Sequence, residues 1–379
     1  MAGIYIHIPF CKQACYYCDF HFSTSLKRKE EMLASLNKEL FLRKDELKNE
    51  IIETIYFGGG TPSLLSIEEI EELLSTIYKN YDVITNPEIT IEANPDDLSE
   101  EKISALSNTQ INRLSIGIQS FFDDDLKFMN RAHSADESKE CLKIVKKYFH
   151  NITIDLIYGV PNMTNQKWLK NLQMAFNFGV PHISSYALTV EEKTALDSFI
   201  KKGTVPPVDE NLALEHFNIL VSETEKNGFV QYEISNFGKP NYFSKHNTSY
   251  WLGEKYLGIG PSAHSYNLLE RAWNVSNNAK YINSLKENVL PLQIEALTGN
   301  NRFNEYIMTG LRTIYGVSYE KVEKDFGALR LQKLKENARP FIEKGLLEIK
   351  LGTFSSATLI TTKKGKFLAD GIASDLFII

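Results

Sequence analysis

The stretch "IYIHIPFCKQACYYC", Ile4 to Cys18, decides how this chain reads. Ile4, Ile6 and Ile8 alternate with Tyr5 and His7, the period of a strand with one apolar face. That strand runs straight into Cys11, Cys15 and Cys18, spaced Cys-x3-Cys-x2-Cys. Three thiolates so close together suit iron and sulfur. A four-iron cubane normally takes four thiolates, so three leave one iron open to a small molecule. Zinc stays as the alternative, but it needs a fourth ligand, and Cys-x3-Cys-x2-Cys-x2-His, with His21, is not a usual zinc spacing. A disulfide framework does not suit a 379-residue chain with four cysteines, three of them crowded. The fourth, Cys141 in "SKECLKIVKKYF", has apolar neighbours at helical spacing and reads as a buried helix residue.

Outward from that stretch, β-rich runs alternate with helical ones. The strands are "GIYIHIP" from Gly3, "ETIYFGG" from Glu53, "EITIEAN" from Glu88, "RLSIGIQS" from Arg113, "NITIDLIYG" from Asn151 and "HISSYALT" from His182. Helices are expected to begin near Leu26, Ser66, Ser99, Ser134, Asn165 and Asn211. Ser66 has Glu69 three residues on, and Ser99 heads an acidic first turn, both N-terminal signals. Such alternation predicts a parallel sheet with right-handed crossovers. Six units rather than eight predict an incomplete (β/α)6 barrel, open along one edge. The aliphatic side of each strand must meet the helices. Tyr5, His7, Glu92, Asn94, Gln119 and Asp155 then face the lumen. A closed (β/α)8 barrel fills its interior with branched aliphatic side chains. A polar, charged lumen is costly unless something polar occupies it, and a bound cofactor is the simplest occupant.

Charge and composition narrow the partners. With 42 Lys+Arg against 48 Asp+Glu the formal net charge is −6, so nucleic acid is not an expected partner. A hydrophobic content of 43% is ordinary for a globular chain. No apolar run approaches a membrane span, and the chain enters a strand at once, leaving no room for a signal peptide. Free thiols and the cluster motif point to the cytoplasm.

"GGGTPS" from Gly58 follows the second strand, and its glycines let backbone approach a ligand closely. It is neither a P-loop nor a dinucleotide fingerprint. The cysteine triplet, this loop and the strand order resemble the radical S-adenosylmethionine (SAM) superfamily, whose SAM chelates the open iron. "YIHIPFC", "FGGGTPS", "IEANPD", "SIGIQSF", "NRAH", "IDLIYGVP", "YEISNF" and "GIGPSAHSY" occur in order over roughly the first 270 residues. Together they resemble the group of oxygen-independent coproporphyrinogen III oxidase and its HemW-type haem-chaperone relatives. The resemblance implies a 4Fe-4S cluster on Cys11, Cys15 and Cys18. It implies SAM contacts from Tyr5, Tyr17, Gly59, Gly60, Thr61, Glu92, Gln119, Arg131 and Asp155, with Ala187 and His264 as weaker assignments. Glu92, at a strand end, suits ribose hydroxyls.

Two features place the chain nearer the chaperones. The oxidase resembles Cys-x3-Cys-x2-Cys-x-Cys with an N-terminal extension; here Phe20 stands at the fourth position and ten residues precede Cys11. "HNTSYW" matches the His-Asn-x-x-Tyr-Trp motif associated with haem in that branch. It implies an exposed loop ligand in His246, with Asn247 beside it and Tyr250 and Trp251 offering flat surface to the porphyrin. This motif is expected to act independently of SAM. The implied cargo is haem, the implied partners are haem-accepting proteins, with peripheral membrane contact only through them. SAM-cleaving chemistry without coproporphyrinogen oxidase activity is the expectation, and radical decarboxylation of porphyrinogen propionates the alternative.

Three units follow: residues 1–228 as the partial barrel, 229–290 as a post-barrel segment with the motif and a connector, and 291–379 as a helical, winged-helix-like domain. In the last, two helices flank "YGVS", a third ends near Ile342, and "GLLEIK" with "ATLITTKKGKFLAD" supplies a hairpin and final helix. Its charges are mixed rather than basic, so a docking or lid role is expected and not DNA reading.

Overall fold

The computed structural model describes residues 2–351 and 357–378. Six parallel strands form its centre: β1 (Ala2–Ile8), β2 (Ile52–Gly59), β3 (Val83–Ala93), β4 (Arg113–Gln119), β5 (Ile152–Tyr158) and β6 (His182–Ala187). All six expected strands are present, each pairing in parallel with the next. Between them run α1 (Lys29–Leu42), α2 (Ile67–Asn80), α3 (Glu100–Ser107), α4 (Asp123–Phe128), α5 (Ala135–Tyr148) and α6 (Asn165–Phe178). α7 (Ala195–Lys201) and α8 (Glu210–Lys226) follow β6. Ile4, Ile6, Ile55, Phe57, Ile89, Ile91, Leu114, Ile116, Ile152 and Ile154 are buried in one continuous core beneath the helices. This is the apolar face that the strand alternation predicted.

Five of the expected helix starts agree within a residue, because local side chains fix them. Ser66 and Ser134 close reciprocal capping boxes with Glu69 and Glu137. Ser99 and Thr164 accept from the third backbone N–H of their helices. α8 starts at Glu210, capped by Asp209. α1 starts at Lys29 rather than Leu26 and has no side-chain cap. Replacing Ser134 with Ala leaves the Glu137 N–H in the first turn of α5 without its side-chain acceptor. The expected cost is about 1 kcal/mol, seen as a lower urea midpoint at unchanged slope.

The sheet does not stop at six strands. It has twelve, ordered β12-β11-β10-β9-β1-β2-β3-β4-β5-β6-β8-β7. β7 (Val230–Glu233) and β8 (Asn236–Gly238) extend the β6 edge antiparallel. On the other edge β9 (Lys255–Ile259) pairs parallel with β1, and β10 (His264–Tyr266), β11 (Glu270–Asn274) and β12 (Leu292–Ala296) continue antiparallel. Between β8 and β9 lies α9 (Lys245–Trp251); α10 (Asn278–Lys286) lies between β11 and β12. The stretch expected as a connector around 276–300 therefore holds a helix and an edge strand. Buried Glu39 on α1 ties the extension down, accepting from Arg43 (3.0 Å), Gly260 N–H (2.8 Å) and Asn274 Nδ2 (2.8 Å).

A second core, around Phe303, Ile307, Val322, Leu334 and Leu359, belongs to the C-terminal unit. Its order is α11 (Gly299–Arg312), β13 (Val317–Ser318), α12 (Tyr319–Phe326), α13 (Ala328–Glu343), β14 (Leu347–Leu351), β15 (Ala357–Thr361) and α14 (Ala369–Asp375). Three helices before a hairpin give the winged-helix-like arrangement, with sheet order β13-β15-β14. The turn of that expected hairpin lies outside the described residues. The unit docks on the β7 edge, where Ile234 N–H donates to Arg312 O (3.0 Å) and Ile314 N–H to Tyr232 O (3.0 Å). Among the described residues no helix is long and apolar enough to cross a membrane.

Candidate functional site

The loop after β1 folds back on itself: Cys11 N–H donates to Ser23 O (3.1 Å) and Ser23 N–H to Pro9 O (2.9 Å). Its far side is pinned to the end of α4, with Tyr16 N–H on Met129 O (3.2 Å) and Asn130 Nδ2 on Ala14 O (2.7 Å). Cys11, Cys15 and Cys18 are free and half-buried, and all three line one cavity of about 440 Å³ at the carboxyl end of the barrel strands. Burial pushes the Cys11 thiol up and the Cys18 thiol to about 11, so metal must displace protons here. Among the described residues no three Cys, His, Asp or Glu side chains are grouped for a single metal ion. Ligands of a cubane stand farther apart, since each reaches a different iron. A free, half-buried thiol triplet beside a roomy polar cavity fits such a cluster. Cys141 lies in the core on α5.

Tyr17, Gly59, Gly60, Thr61, Glu92, Gln119, Arg131, Asp155 and Ala187 line the same cavity. The glycine loop does more than offer space. Gly59 has φ +105°, and a Cβ there would stand 2.6 Å from the His7 ring; at Gly60 it would stand 2.5 Å from Phe10 O. The loop is thereby locked against β1, and Gly59 N–H is spent on Glu92 Oε2 (3.2 Å). Glu92 also accepts from the Tyr56 hydroxyl at 2.8 Å. Burial, with Asp155 nearby, raises the Glu92 carboxyl to about 7; burial raises Asp155 to about 6. Opposite them Arg131 donates to Cys15 Sγ (3.3 Å), Asn94 Oδ1 (2.6 Å) and Gly117 O (3.0 Å), and its buried Nε has no partner. Two buried carboxyls that make no ion pair among the described residues, facing a fixed guanidinium, suit a ligand carrying positive charge, hydroxyls and a carboxylate. SAM has all three.

Tyr5 lies below the cavity, its ring 6.0 Å from Tyr56. Tyr56 was missed in the sequence, although its alternation with Ile55 and Phe57 puts it on the lumen side. The His246 motif is not the exposed loop expected. It forms α9, and His246 is 1% exposed under the barrel lumen. Nδ1 is hydrogen-bonded to Thr54 Oγ1 (2.8 Å) and Nε2 to the Tyr250 hydroxyl (2.7 Å). The imidazole stacks on Tyr56 at 5.0 Å, and burial lowers its pKa to about 3. Asn247 donates its N–H to the Ser244 cap. Trp251 faces the C-terminal unit, with the Arg312 guanidinium 5.0 Å over its ring and Arg312 bonded to Glu233 and Asp370. His264 does not join the cavity: it is exposed on β10, stacked on Trp273.

Residues 5–175 match the Radical SAM superfamily and residues 297–355 the HemN C-terminal domain. "Heme chaperone HemW" of Bacillus subtilis (strain 168) is 33% identical, over 98% of this chain and 98% of that protein. Its namesake in Lactococcus lactis subsp. lactis (strain IL1403) is 34% identical, over 85% of this chain and 84% of that one. The structure of coproporphyrinogen III oxidase (HemN) from Escherichia coli superposes with a TM-score of 0.85 over 99% of this chain and 90% of that chain, at 21% identity. That likeness is one of fold, and it includes the C-terminal unit. With near-full-length identity to HemW proteins carried on the cysteine loop and barrel just described, the chain belongs to the HemW family of the radical SAM superfamily.

Proposed function

We propose that the protein binds haem and delivers it to acceptor proteins, while carrying a 4Fe-4S cluster and SAM in the barrel. The observation that carries the reading is the 33% identity to a protein named heme chaperone HemW over 98% of both chains. Phe20 supports it, standing where the oxidase pattern has a fourth cysteine. Cys11, Cys15 and Cys18 would hold the cluster, Glu92 the ribose, and Arg131 the methionine carboxylate. When bound and reduced, the cluster supplies an electron to SAM. The walls hold the two carboxyls where cationic and hydroxyl groups of a ligand would satisfy them.

The test is made anaerobically on cluster-loaded protein, with haemin and coproporphyrinogen III in separate arms. Haemin should bind at about one per chain with a Soret band distinct from free haemin. Coproporphyrinogen III should not be decarboxylated with SAM and reductant present. Robust turnover would replace the chaperone with the oxidase, and absence of haemin binding would remove the cargo.

A further inference from the structure

We propose that the imidazole that meets haem iron is His264, on an aromatic platform formed by the inner face of β9, β10 and β11; this rests on the haem-carrying reading above. An axial ligand needs a lone pair that iron can approach. Of the eight histidines, only His150 and His264 are exposed. His150 precedes β5, at the amino-terminal end of the barrel strands. His246 would have to leave both Thr54 and Tyr250 to offer either nitrogen. The His264 ring makes no hydrogen bond to the described residues; its neighbour is the Trp273 indole, 5.9 Å away and nearly parallel at 26°.

The register places this pair on the face that lines the lumen. Tyr5, inner on β1, pairs with Gly258, so Tyr256 is inner too. Tyr256 pairs with Tyr266, and His264 and Tyr266 pair with Trp273 and Arg271 across β11. Ser265, between them, points the other way, to Arg43 at the C-terminal cap of α1 at 3.0 Å. Tyr250 of the His-Asn-x-x-Tyr-Trp motif packs edge-on against Tyr256 at 4.4 Å, and Tyr256 lies 6.1 Å from Tyr266. The motif thus borders the platform rather than supplying its ligand. Trp273, nearly parallel to the imidazole, would stand edge-on to a porphyrin held through His264 and fix the ligand ring's orientation, while Tyr256 and Tyr266 add aromatic surface beside it. Arg271, bonded to Glu305 at 2.9 Å and 43% exposed, offers a cation to a propionate. Burial and Arg271 lower the His264 pKa, which favours the neutral, ligating form.

The experiment is haemin titration of the cluster-loaded full chain, following the Soret band, with His264→Ala, His264→Gly, Trp273→Leu and His246→Ala. His264→Ala should weaken haemin about tenfold or more and move the Soret maximum. Added imidazole should restore the wild-type spectrum in His264→Gly, a rescue that a folding defect would not show. Trp273→Leu should weaken binding without changing the ligand's signature, and His246→Ala should keep the wild-type Soret position. Unchanged affinity and spectrum in His264→Ala overturns the inference. So does loss of the Soret signature in His246→Ala alone, which would return ligation to the motif histidine. If wild-type protein binds no haemin, the carrier reading falls and this inference with it.

Discussion

Alanine at Cys11, at Cys15 or at Cys18 is expected to abolish the brown chromophore of anaerobically reconstituted protein, taking iron from about four per chain to near none. Each thiol belongs to one self-bonded loop facing one cavity, so a missing ligand leaves a cubane with only two protein thiolates. Cys141→Ala is the contrasting case. That thiol is 3% exposed in the helix layer, and burial raises it to about 12. Its loss removes one small buried group, about 1 kcal/mol of stability, and leaves the cluster complete. Iron and acid-labile sulfide assays with visible absorbance read both outcomes. Cluster loss in Cys141→Ala as complete as in the other three would end the open-iron arrangement.

What the sequence made legible follows from which signals are local. Ile4, Ile6 and Ile8, or Leu114, Ile116 and Ile118, carry a two-residue period that fixes a strand and its buried side together. Ser66 and Ser134 carry their partners three residues away, so those helix starts could be read directly. β7 to β12 are too short for such a period to set them apart from loops, even where β12 alternates Leu292, Ile294 and Ala296 with Gln293 and Glu295. β8 and β10 are three residues long, and β12 is mostly exposed on a sheet edge. Their place depends on a partner such as β1, some 250 residues earlier, and periodicity contains nothing of that.

The site shows the same division. Of the residues expected on the lumen side of consecutive strands, register carries Glu92, Asn94, Gln119 and Asp155 to one cavity, whereas Tyr5 and His7 stay off its lining. His246 and His264 were read from motifs, and a motif does not say which imidazole is covered. Both lie in the segment that pairs beyond the six-strand repeat. The first is sealed between Thr54 and Tyr250, the second left open beside Trp273.

SAM affinity of cluster-loaded protein is expected to fall roughly ten- to a hundredfold in Glu92→Ala, the cost of about 1.5–3 kcal/mol for a lost hydrogen-bonded carboxylate. The pH dependence carries a definite sign. Free Glu92 titrates near 7, and a ligand that donates hydroxyls and brings positive charge favours the ionised form. Wild-type affinity should therefore weaken as pH falls from above 7 to below it, and Glu92→Gln should flatten that dependence. The His-Asn-x-x-Tyr-Trp motif should also be felt at this site, contrary to the independence expected of it. His246 stacks under Tyr56, and the Tyr56 hydroxyl holds Glu92. Removing that support should cost about 0.5–1.5 kcal/mol of SAM binding. Tyr56→Phe and His246→Ala should each weaken SAM, and together by less than their sum, since both act through one carboxylate. Calorimetric titration of the four proteins closes the cycle. Unchanged affinity in Glu92→Ala would place the ribose elsewhere. A normal Glu92 loss with strictly additive Tyr56 and His246 effects would keep the ribose on Glu92 and remove the link to the motif.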